Sequence, residues 1–242
     1  MRIAGAAPVR TWDDDVVQIA VAMTPGVSAD ECEAFLLVFG HLEGVEIVRV
    51  GARPGRVEGP GGGQVVDARF DDVPRPDVVI VPGGLGCARA ADDEPLRNWL
   101  RTVAPRCTWL AASSTGTVTV AAAGLLDRQR VATHWLASPF LESYGASASP
   151  ERIVETGNVI TCEGHVTAMH VALLLTLRLF GPETVADVRR RLVPAVDAAK
   201  PGRWPAGRRR RRDRREAQRP RPRNRELDAP DVIELEPLRP RS

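Results

Sequence analysis

Two apolar runs that end in turns of very small residues constrain this chain most: "DVVIVPGGLG" (77–86) and "CTWLAASSTG" (107–116). Neither alternates polar with apolar residues. Each therefore reads as a short strand buried on both faces, as in a parallel sheet covered by helices. The segments around them alternate in kind. Val16 to Ala22 is a β-branched run closed by Thr24-Pro25-Gly26, and "VEIVRV" (45–50) is a second strand. Between them Ser28 offers an N-cap with Glu31 as its capping-box partner, and Cys32, Phe35, Phe39 and Leu42 follow at helical spacing up to a stop at Gly44. "GPGGGQVVDA" (59–68) is a Gly-rich turn with no helix behind it, so it is not a phosphate cradle.

Further along, a helix is expected over Glu94 to Val103. "RIVETG" and "NVITCEG" pair as short strands, and two helices close the unit at about 165–179 and 182–193. Strands alternating with helices predict a doubly wound α/β fold with a mostly parallel sheet and helices on both faces. Ligands in such folds bind outside the carboxyl ends of the strands. Gly83-Gly84 and Ser113-Ser114 both fall there.

Charge divides the chain. Residues 199–242 hold fifteen basic and seven acidic side chains, a balance of +8, which leaves −6 on the remainder. This segment is rich in Arg and Pro and poor in apolar residues, so it is expected to be disordered. The division is a flexible N-terminus over 1–14, a folded domain over 15–198 and an Arg/Pro-rich tail over 199–242. Within the tail, 207–225 could touch nucleic acid phosphates without selecting sequence, since it lacks aromatic residues for stacking. The first eleven residues contain no apolar core of a secretory signal, and no run reaches the ~18 apolar residues of a membrane span. Cys32, Cys87, Cys107 and Cys162 form no C-x-x-C pair and read as buried or free thiols, which points to the cytoplasm. Cys87 is expected to be a small buried residue. His165 and His170 lie about 140° apart on a helix, so no metal site is expected, and no cofactor.

Ala112-x-Ser114-x-Gly116 nearly matches the G-x-S-x-G nucleophile elbow, in which small neighbours let the chain turn sharply and lift the central side chain above the sheet. Amides at the following helix start would face an oxyanion. Against this, Thr117-Val118-Thr119-Val120 alternates like a strand.

"VVIVPGGLG", "STGTVTVAAAGLLDRQRVATHW", "VITCEGHVTAMHVALLL" and "GPETVADVRRRLV" together resemble the ThiJ/PfpI superfamily, whose fold is that of class I glutamine amidotransferases. They are most similar to the branch of isocyanide hydratases and the ligand-sensing domains of AraC-type regulators. The resemblance covers residues 16–193 and implies a helix after Ser114. It places Ser114 where the family has its elbow cysteine and Glu31 where that branch has an aspartate. Gly83 and Gly84 match the glycines whose amides flank a substrate oxygen, Thr115 belongs to the following Thr-Gly step, and His134 is the candidate base. A homodimer is also implied. The tail is too short and Pro-rich for a paired helix-turn-helix unit.

The function expected on these grounds is small-molecule binding at the elbow, with weak or absent catalysis because serine replaces cysteine. Two alternatives stand beside it. One is an isocyanide-hydratase-like or amide-hydrolysing enzyme using Ser114; the other is a nucleic-acid-associated protein acting through its arm.

Overall fold

The computed structural model describes residues 16–198; the N-terminal segment 1–14 and the Arg/Pro-rich tail, including 207–225, lie outside the described residues. In chain order the elements are β1 (Val17–Ala22), α1 (Ala29–Phe39), β2 (Val45–Gly51), β3 (Gly55–Val57), β4 (Gln64–Val66) and β5 (Ala68–Arg69). β6 (Val78–Val81), α2 (Cys87–Asp92), α3 (Glu94–Val103), β7 (Trp109–Ser113) and α4 (Gly116–Ala122) follow. The remainder comprises β8 (Arg130–Val131), α5 (Ser138–Glu142), β9 (Ser147–Ala148), β10 (Ile153–Thr156), β11 (Val159–Cys162) and α6 (His165–Ala198). A seven-stranded sheet runs β10-β11-β7-β6-β1-β2-β5, with every pairing parallel except the β10–β11 hairpin. Two small ribbons, β3–β4 and β8–β9, stand apart from it.

The expected doubly wound α/β architecture holds, and the two-residue period of a strand explains how. Val17, Ile19 and Val21 of β1, Val78 and Ile80 of β6, and Trp109 and Ala111 of β7 point into one layer with α1 and α6. Ala20 and Ala22, Val79 and Val81, and Leu110 and Ala112 point into the other, with α2, α3, α4 and α5. Both faces are buried, so no polar alternation survives in these strands. The second layer is tied at its edge by Trp99, whose ring stacks on Phe70 at 5.2 Å and whose Nε1–H donates to the Val73 carbonyl at 2.9 Å.

Several local expectations change. Ser28 does precede α1 with extended backbone, but its side chain makes no capping bond. The capping box fails because Glu31 turns inward and is buried instead of reaching back to the cap. The helix also ends earlier than Gly44, at Gly40, whose N–H bonds the Leu36 carbonyl. The two closing helices run as one element broken at Gly181, where φ is 85°. Residues 117–120 are helical despite their strand-like alternation, because both sides of α4 are buried and no polar face is left to reveal its period. α2 had no sequence signal: it is six residues long, begins at Gly86 without a side-chain cap, and shows no apolar stripe.

Candidate functional site

Three turns meet at the carboxyl ends of β1, β6 and β7. The Ser28 N–H donates to the Gly83 carbonyl (2.9 Å), the Gly86 N–H donates to the Gly26 carbonyl (3.2 Å), and Val27 and Gly84 form an isolated antiparallel bridge. Backbone lies directly against backbone there, and only residues without Cβ permit that approach. Gly83 packs under the third turn, where a Cβ would stand 2.7 Å from the Ser114 Cβ. Thr115 closes the cluster. Its Oγ1 accepts from the Gly84 N–H and donates to the Gly84 carbonyl, both at 2.8 Å. The Gly84 amide, matched by resemblance to a substrate-facing donor, is thus already bonded to Thr115. A notch of about 10 Å³, room for roughly one water, lies between these turns, with Thr24, Gly83, Cys87, Thr115 and Gly116 in its wall.

Ser114 follows β7 with φ of 55°, a left-handed conformation that costs a non-glycine residue of order 1–3 kcal/mol and persists only when its surroundings hold it. Here its N–H donates to the Cys162 carbonyl (2.8 Å) and its own carbonyl accepts from Thr133 Oγ1 (2.8 Å). The side chain is buried.

Glu31 is brought to this end of β7 from α1. Burial raises its proton affinity above the ordinary value of 4.5; the neighbouring Ser113 hydroxyl, the charge and backbone N–H of His165, and His134 pull the other way without overcoming it. Ser113 faces the carboxyl group but no well-directed bond closes, since Glu31 Oε2 and Ser113 Oγ are both buried without a hydrogen-bond partner. His134, half-buried, spends its Nδ1 lone pair on the Leu136 N–H (3.3 Å) and leans on Trp135. Among the described residues no hydrogen bond joins His134 to Ser114 or Glu31. Sequence reasoning missed Ser113 and His165. For Ser113 the signal was available: it continues the odd-numbered row Trp109, Ala111 into the α1–α6 layer, where Glu31 sits. Among the described residues no group of three or more His, Cys, Asp or Glu side chains is placed to hold a metal ion.

The raised affinity of Glu31 has a testable consequence. A carboxyl that binds protons more tightly when folded contributes stability that is full below its unfolded value near 4.5 and is lost as pH rises through the folded value. Glu31→Gln carries no such loss. Its melting temperature relative to wild type is therefore expected to rise from pH 4 toward pH 8. A difference that falls over that range in thermal melts would show that the bonds to the ionised carboxylate outweigh its burial.

Comparison with known proteins identifies the architecture. The model of the DJ-1/PfpI family matches residues 17–176. The chain belongs to the DJ-1/PfpI family. The ThiJ/PfpI resemblance thus holds, and it extends to individual relatives. An isonitrile hydratase of Pseudomonas putida is 33% identical over 141 residues, covering 57% of this chain and 62% of that protein, so less than two thirds of that relative is spanned. A glutathione-independent glyoxalase, DJR-1.2 of Caenorhabditis elegans, is 28% identical over 170 residues, covering 68% of this chain and 90% of that protein. Among solved structures, a ThiJ/PfpI family protein from Pseudomonas syringae superposes with a TM-score of 0.69 at 24% identity, covering 81% of this chain and 80% of that one. Drosophila melanogaster DJ-1beta gives 0.65 at 23%, with 73% and 97% covered, again a likeness of fold.

The expectation of a cleft with serine in place of its elbow cysteine is overturned. Weak or absent catalysis was expected because serine stands at the elbow in place of cysteine. Of the strand-to-helix elbows that meet here, however, the one leaving β6 carries a cysteine: Cys87 is the first residue of α2 and lines the notch with Gly83, Thr115 and Gly116. It is half-buried, not the small buried residue that was expected, whereas Cys32, Cys107 and Cys162 are buried. The functional readings built on Ser114 as the elbow nucleophile, active or lost, fall with that premise. The remaining alternative rested on 207–225, outside the described residues.

Among the described residues no helix is long and apolar enough to cross a membrane.

Proposed function

We propose that this DJ-1/PfpI domain binds a small electrophilic molecule at the mouth of the notch between the β1, β6 and β7 turns and that the Cys87 thiol is its nucleophile. The observation that carries the reading is the position of Cys87, at a strand-to-helix turn and in the wall of the notch, while the other three thiols are shut in the core. A thiolate is the better nucleophile of the two available side-chain types, because a serine hydroxyl needs a positioned general base and among the described residues none is hydrogen-bonded to the Ser114 hydroxyl. Support for the substrate class comes from relatives named as an isonitrile hydratase and a glyoxalase. In both cases the molecule presents a small electrophilic carbon to which a thiolate can add. Gly83, Gly84 and Thr115 line the notch with Cys87, while Glu31, Ser114 and His134 lie outside its lining. A cytoplasmic homodimer belongs to the same reading; four unpaired cysteines suit a reducing compartment.

Turnover of an isonitrile and of an α-oxoaldehyde by the full chain tests this. Cys87→Ser is expected to lose about 100-fold or more in kcat/KM for whichever is consumed, with Ser114→Ala within a few-fold of wild type. Full turnover in Cys87→Ser, or loss confined to Ser114→Ala, would overturn the assignment.

A further inference from the structure

Ser113 and Glu31 face each other at the end of β7, each with a hydrogen-bonding position unfilled. Ser113 is wholly buried and Glu31 nearly so, at 7% exposure. Among the described residues neither Ser113 Oγ nor Glu31 Oε2 has a hydrogen-bond partner. The other carboxyl oxygen, Oε1, lies against Gly164, where a Cβ would sit 3.5 Å away, and the backbone N–H of His165 faces the carboxyl group. Buried polar atoms in native proteins are rarely left without a partner, and a hydroxyl beside a carboxyl can serve it in either protonation state.

We propose that Ser113 is a positioning residue for Glu31. Rotation about the Ser113 side-chain bond closes a hydrogen bond to Oε2, and the direction of that bond follows the proton. The hydroxyl donates to the carboxylate and accepts from the carboxylic acid. The pair thereby lets a carboxyl sealed from water take up or release a proton beside Ser114 without leaving a buried atom unpaired in either state. The other titratable groups facing Glu31 are His165 at the start of α6 and His134 after β8. The thiols of Cys32 on α1 and Cys162 on β11 also lie within its field, and burial holds both near 12, so they stay neutral. The inference does not depend on Cys87 being the nucleophile, and its test reads Glu31 alone.

The test is a carbon-13 titration of the Glu31 carboxyl in the full-length protein, its resonance identified by its loss in Glu31→Gln. In Ser113→Ala the midpoint is expected to move up by about one pH unit, because the donor that favours the ionised form is gone. Ser113→Thr, which keeps the hydroxyl, should stay near wild type. A folded Ser113→Ala with an unmoved midpoint and a raised melting temperature would overturn the proposal, since that is how an idle buried hydroxyl behaves. Should Ser113→Ala fail to fold, Ser113→Cys, a weaker donor, must shift the midpoint the same way by less; an unmoved midpoint there is equally decisive against it.

Discussion

Alanine at Gly84 is expected to cost about 3 kcal/mol or more, a loss of roughly 10 °C in melting temperature for a domain of this size. The added Cβ would stand 2.6 Å from the Ser28 amide nitrogen and 2.8 Å from the Val27 Cα, and nearer still to the Gly26 carbonyl oxygen. All three obstacles are backbone, so no rotamer change relieves them. Separation of the two turns would break the Ser28–Gly83 and Gly86–Gly26 bonds and pull Gly84 from Thr115. The cleft should therefore suffer along with the fold. Leu85→Ala is the control, one residue away and 87% exposed, with an expected effect within about 0.5 kcal/mol. Thermal melts of the two variants decide the matter. Equal stabilities would mean that the β1 and β6 turns are not clasped as described.

The second large effect is in cysteine chemistry. Burial pushes the thiols of Cys32, Cys107 and Cys162 up to about 12. At pH 8 such a thiol is ionised about once in ten thousand molecules, and alkylating reagents attack the thiolate. Cys87 is instead half-buried in the wall of the notch, where a reagent can approach its sulfur. Iodoacetamide at pH 8 should thus modify one cysteine of the native full-length protein, Cys87, at least about 100-fold faster than the other three. All four should react once the chain is denatured. Peptide mass mapping over time gives the four rates. Similar rates for Cys87 and Cys107 would remove the distinction on which the proposed nucleophile rests. Because the measurement needs no substrate, it separates an unreactive thiol from a wrong guess at the substrate.

How far the site was legible depended on how local its causes are. The turn glycines at 83 and 84 and the small residues after β7 are written into short stretches, since strand-to-turn junctions in parallel sheets require small residues within the segment itself. Glu31 was singled out, yet for two competing reasons, a helix cap and a site residue. Only the packing of α1 against α6 shows that its side chain points inward and leaves the Ser28 side chain without a capping bond. Cys87 was misjudged because exposure belongs to the tertiary structure: "GCARAADD" contains no periodicity that separates a buried thiol from one in a cleft wall. Ser113 was passed over in favour of its neighbour, although strand parity placed it on the Glu31 side.

By itself the sequence determined the order and kind of the main elements. Continuous apolar strands between helices can satisfy both faces only in a covered, mostly parallel sheet. It also determined where the turns of the cleft fall, because a chain reverses sharply only at residues small enough to allow it. The tertiary structure alone decided which groups meet there. Glu31 reaches Ser113, and Gly84 reaches Thr115, because parallel pairing places β1, β6 and β7 side by side and brings their carboxyl-terminal turns together. Burial then sorts four chemically identical thiols into three sealed in the core and one in the cleft wall. That outcome depends on which atoms surround each sulfur, and no pattern within a segment encodes it.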